Sequence, residues 1–120
     1  MKKAIVFPAG HGIPYVIEAP DGFDWDLSWV AKQLGCEWIE IVRPRRLPEG
    51  FIMLVDEEGL LKPNELNPVG SWFYQTDKHG EPIVGNVMIV KEVPGDEGPE
   101  IDGMSEEDVQ DIFNLIGKED

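Results

Sequence analysis

One cysteine, two histidines and ten basic side chains are all that the 120 residues hold of these types, and each scarcity removes a class of function. A lone Cys36 cannot close an internal disulfide. Its neighbours Gly35, Glu37 and Trp38 supply no cation to lower its pKa, so a small buried hydrophobe is expected there. His11 and His79 stand in separate turns beside glycine, and no His-x-x-x-His, Cys-x-x-Cys or Glu-x-x-His spacing is present. Neither a zinc site nor any cofactor is expected. Of the three serines, Ser28, Ser71 and Ser105, none occupies a Gly-x-Ser-x-Gly elbow. No apolar run approaches the roughly 20 residues of a membrane span. Met1-Lys2-Lys3 is followed by only Ala4 to Phe7 before Pro8, where a signal peptide needs about 7–15 apolar residues. A cytoplasmic protein with no membrane association is the expectation.

Acid is abundant. There are 24 aspartates and glutamates, a net charge of −14 and a pI near 4.3, alongside 42% hydrophobic residues. That apolar content is globular, and a chain of this mass buries roughly two-thirds of its unfolded surface on folding, enough for one core. The charge argues against direct contact with nucleic acid, whose phosphates need a basic face, and against anionic membranes. It is also unevenly spread. Residues 92 to 120 hold 11 acidic side chains and one basic, a net −10, leaving −4 for residues 1 to 91. Pro94-Gly95-Asp96-Glu97-Gly98-Pro99 is linker-like in composition. The expected organisation is a domain over 1–91, a Pro/Gly/acidic linker over 92–103 and an amphipathic helix over 104–117.

Period and punctuation outline the elements. Residues 13 to 18 alternate as a half-buried strand, with residues 3 to 7 as its partner. Leu27, Val30, Ala31 and Leu34 form a helical stripe, with Asp24 or Asp26 as N-cap and Gly35 as the stop. Strands are expected over 37–43, 51–56 and 83–91, the last two apolar on both faces. Asn67 then Pro68 reads as a cap followed by proline at the first helical position, with Val69, Trp72 and Phe73 as the stripe of a helix running to about Gln75. Ser105 caps the final helix, whose acidic first turn and Met104–Val109 spacing fit a hydrophobic staple. The fold class is α+β: a mixed, largely antiparallel sheet with helices on one face and a C-terminal helix added. Without residues 3–7 the element order matches a ferredoxin-like split βαβ unit.

Candidate sites are few. Asp56-Glu57-Glu58-Gly59 lacks the alternating ligand spacing of a calcium loop and reads as a solvated turn after a buried strand. Pro8-Ala9-Gly10-His11-Gly12 matches no phosphate-binding pattern. The unusual feature is Arg43-Pro44-Arg45-Arg46. Guanidinium groups grip carboxylate or phosphate bidentately, so Arg43, Arg45 and Arg46 are the candidate contacts for an anion or a partner, unless they pair with the acidic C-terminal segment. Trp25, Trp29, Trp38 and Trp72 suit core packing better than a base-stacking platform, which would need a basic groove.

The segments Gly35 to Arg43, Phe51 to Leu60, Leu66 to Ser71 and Ile83 to Val87, in that order, resemble an uncharacterised domain-of-unknown-function family of bacteriophages and mobile elements of mainly Gram-positive bacteria. The resemblance spans about residues 13 to 91. It implies a phage or plasmid accessory protein and transfers no catalytic residue. A non-enzymatic protein-interaction module is therefore the leading expectation, with an unidentified protein partner and a homodimer open. The alternatives are an acidic decoy that imitates DNA to inhibit a nucleic-acid-binding host protein, and a small anion- or nucleotide-binding domain using the arginine loop.

Overall fold

The structure, a computed structural model, describes residues 1–61 and 64–117. Among the described residues six strands form one sheet: β1 (Lys2–Phe7), β2 (Tyr15–Ala19), β3 (Ile39–Val42), β4 (Phe51–Asp56), β5 (Val87–Gly95) and β6 (Gly98–Asp102). The order is β2-β1-β5-β4-β3, with β6 on the outer half of β5, and every pairing is antiparallel. The helices are α1 (Leu27–Leu34), α2 (Pro68–Tyr74), α3 (Thr76–His79) and α4 (Glu106–Gly117), with a 3₁₀ turn over Gly59–Leu61. This is an α+β fold with a C-terminal helix, as the patterning implies.

Several details differ from expectation. In a split βαβ arrangement the two strands joined through a helix run parallel with another strand between them, whereas β4 and β5, on either side of the helical segment that follows β4, are direct antiparallel neighbours. Residues 3–7, set aside in that reading, lie between β2 and β5 near the middle of the sheet. The reason is composition: Ala4, Ile5, Val6 and Phe7 are all buried, so β1 needs cover on both faces and cannot serve as an edge. The same holds for β4 and β5, which is why helices lie on both faces and not on one. On the first face, Ala4, Val6, Ile52, Leu54, Met88 and Val90 pack against Val30 and Leu34 of α1. On the second, Ile5, Phe7, Met53, Val55, Val87 and Ile89 pack against Phe73 of α2 and Val109 and Ile112 of α4.

Residues 92–103 are not a linker. Residues 92–95 complete β5 and 98–102 form β6, with Pro94 opposite Pro99 and Gly95 opposite Gly98, so Asp96-Glu97 is the two-residue loop of a hairpin. Proline is tolerated because β6 lies on the margin, and Gly98, at φ +119°, takes a backbone conformation closed to other residues. Helix α4 docks on the sheet: its Phe113 ring stands edge-on to Phe7 at 6.0 Å. Ser105 caps it as the pattern predicts, accepting from Asp108 N at 3.1 Å while its own N–H donates to Asp108 Oδ2 at 3.0 Å. Met104 and Val109 are buried together in the second core, as the staple spacing requires. Strand β5 starts later than expected because residues 83–86 are held elsewhere. The Leu66–Val84 bridge takes part of this segment, and Gly85, at φ +82°, turns the chain and donates to the Glu65 carbonyl.

Candidate functional site

The three candidate arginines do not converge. Arg43 forks onto Glu92 of β5, Nε donating to Oε1 at 3.1 Å and Nη2 reaching Oε2. The hydrogen bond and charge of Glu92 hold this guanidinium further into its protonated range, against a smaller opposing effect of burial. Arg46 donates from Nη1 to the Trp72 carbonyl at 2.8 Å and lies over the Trp72 ring at 4.9 Å. Its planar cation thus fastens the β3–β4 loop to α2. Arg45 is exposed. Two of the three are therefore engaged within the chain, and no shared anion cradle forms.

Of the predicted caps, Asn67 is the more heavily used. Its Oδ1 accepts from Gly70 N at 2.8 Å, and its Nδ2 donates to the carbonyls of Phe7 and Gly85, each at 2.8 Å. It is fully buried and ties α2 to the end of β1 and to the turn that precedes β5. His11 is exposed, and the side chain of His79 lies outside the described residues. Among the described residues no group of three or more histidine, cysteine, aspartate or glutamate side chains is placed to hold a metal ion. No helix there is long and apolar enough to cross a membrane.

The concave feature of interest lies beside the acidic turn. A cleft of about 140 Å³ opens at the β3 side of the sheet, on the face that carries α2. Val42, Val55, Ile83, Val84 and Tyr74 contribute to its apolar lining, and the acidic residues Glu40, Glu57 and Glu81 border it, with Asp56 at the turn. Leu60 and Leu61 also line it, 56% and 82% exposed. Each wall has a local cause. Glu40 sits opposite Val55 in the β3–β4 register, so both lie on one face. At the end of β4, Asp56 Oδ1 accepts from Glu58 N at 2.9 Å and Glu57 N donates to the Trp38 carbonyl at 3.0 Å, which closes the turn. Gly59 is needed because a Cβ there would meet Val84 Cγ2 at 2.9 Å. Across the cleft, Ser71 pins Ile83, its Oγ accepting from Ile83 N at 3.0 Å.

The chain belongs to the DUF3846 family of domains of unknown function. The family model matches residues 1–117. The family domain therefore extends beyond the 13–91 span of the motif resemblance and takes in the β6 hairpin and α4, in keeping with their packing on the sheet. No curated protein and no solved structure matches the chain.

Sequence patterning reads Asp56-Glu57-Glu58 as a solvated turn and misses the cleft, because Glu40 and Glu81 join it only through tertiary structure. One signal was available. Leu60 and Leu61 follow the acidic turn directly and belong to no amphipathic stripe, so their exposure was open to inference. A carboxylate rim over an apolar lining suits a cation on an alkyl stem, whose methylenes cover the lining while the charge meets the rim.

Proposed function

We propose that this domain is a non-enzymatic protein-interaction module whose cleft beside β3 takes a basic segment of a partner protein. The observation that carries the reading is the meeting of exposed Leu60 and Leu61 with Glu40, Glu57 and Glu81 around one concavity, in a molecule of net charge −14. Exposed leucines grouped at a cleft mark an interaction surface, and the surrounding field would steer a cationic partner toward it. An accessory role in a phage or mobile element, inside the bacterial cell, fits a module of this kind and follows the motif resemblance.

The acidic-decoy alternative draws on the same net charge but loses its detachable arm. Glu92 is paired with Arg43, Asp102 with Lys2 and Asp108 with Lys91, so part of the C-terminal acid is spent on holding the hairpin and α4 in place.

The test is selection from a displayed library of random peptides on the intact protein, followed by affinities in solution. The reading expects enrichment of peptides with interspersed basic and apolar residues. A Glu40→Gln/Glu81→Gln variant should bind them about tenfold more weakly, a change of about 1.4 kcal/mol. A Glu107→Gln/Asp111→Asn variant removes the same charge from exposed positions on α4 and should bind as the parent does. Equal loss in both variants would reduce the effect to bulk charge and support the decoy.

A further inference from the structure

We infer that the partner segment enters as an added β-strand on the outer edge of β3, with alternate basic and apolar residues; this deepens the cleft reading above and rests on it. Strand β3 is last in the sheet order and pairs with β4 alone among the described residues. Its other edge therefore presents backbone donors and acceptors outward, a template for one more strand.

The side chains along β3 specify what that strand carries. Glu40 and Val42 line the cleft, whereas Ile39 and Ile41 pack toward the opposite core beneath α1. Side chains of an added strand would alternate between these faces, placing a cation beside Glu40 on one and an apolar group beside Ile39 and Ile41 on the other. Trp38, 60% exposed, directly precedes β3 and offers an aromatic surface at that end of the edge. The four residues of β3 span about 13 Å, so a partner segment of about four to six residues suffices.

Charge selects the occupant. A second copy of this chain would bring a second Glu40 to the same short edge, between bodies of charge −14, whereas a basic strand meets opposite charge. A short acidic edge thus discourages self-pairing and admits a cationic segment. At the opposite margin of the sheet, Glu18 of β2 is already paired with Lys3 at 3.0 Å.

The experiment uses an end-capped octapeptide of alternating lysine and valine, titrated against the intact protein. Two further copies are N-methylated, one at every lysine and one at every valine. In an extended strand, residues of one parity direct their N–H groups to one side, so only one methylated copy blocks pairing with β3. One copy should bind at least tenfold more weakly and the other within about threefold of the parent peptide. A block copolymer of the same composition, four lysines then four valines, should also bind at least tenfold more weakly. If both methylated copies and the block peptide bind like the parent, strand addition is overturned and the cleft reading stands. If no peptide binds, both readings fall. A self-associated protein whose dimer is dissociated by the parent peptide would make the edge a homodimer contact and overturn the proposal.

Discussion

Asn67 donates through Nδ2 to the carbonyl of Phe7, 60 residues earlier in the chain, at 2.8 Å. The second hydrogen on the same nitrogen meets the Gly85 carbonyl, and Oδ1 caps α2 through Gly70 N. One amide therefore satisfies three backbone groups in a place that water does not reach. The helix that walls the cleft is held to β1 and to the approach to β5 by this residue, so it positions the site without lining it.

Asn67→Ala should lower stability by about 3 kcal/mol, because three buried backbone groups lose their partner at once. Asn67→Asp separates this role from simple capping. Aspartate caps helices as well as asparagine does, yet it offers no donor to the two carbonyls and faces them with a charge. Urea denaturation should rank Asp below Ala. A ranking of Asp close to the parent protein would reduce Asn67 to an ordinary cap.

Ile112 is wholly buried in the core between α4 and the sheet. Ile112→Ala should cost about 3 kcal/mol through lost transfer energy and the cavity left behind. A chain ending at residue 91 should fail to fold, since it lacks half of β5, all of β6 and the helix that covers Phe7 and Ile89. A folded truncate, seen as a cooperative thermal transition, would restore the view of residues 92–117 as an appendage.

What was legible in the sequence follows the range of the cause. Asp26 and Gly35 bound α1, Asn67 and Pro68 start α2, and Ser105 caps α4, because a cap or a left-handed stop is decided by a few neighbouring residues. The apolar faces of β4 were equally plain from local alternation. The central place of β1 was not, since a short apolar run does not reveal how many strands it will lie between. Proline and glycine around Asp96-Glu97 suggested a linker because composition cannot distinguish a flexible segment from a tight hairpin; the pairing of Glu92 with Ile101 across the turn decides it. Of the site, the acidic turn was visible. Its meeting with Glu40 and Glu81 depends on strand register and on Ser71 fixing Ile83, contacts between distant segments that no local pattern encodes.

The α4 cap also makes stability depend on pH in a stated direction. Burial acts to raise the pKa of Asp108, but it is outweighed by hydrogen bonds from the Ser105 backbone and hydroxyl and by the Lys91 ammonium at 3.5 Å, and the net position is below the ordinary 3.8. A depressed carboxylate binds its proton more weakly in the folded state than in the unfolded one. Its stabilisation is therefore fully present above pH 3.8 and is lost as pH falls below that value through the folded pKa. Asp108→Asn retains an acceptor for the Ser105 N–H but loses the charge, so at pH 7 it should be less stable by about 0.5–1 kcal/mol, from its place in the first helical turn and beside Lys91. That gap should narrow as pH drops below 3.8 and close once Asp108 is protonated in both states. Urea midpoints of the two proteins, compared at pH 7, 5 and 3, check this. A gap that stays constant across the series would mean that Asp108 acts at Ser105 through shape alone and that its charge contributes nothing to holding α4 on the sheet.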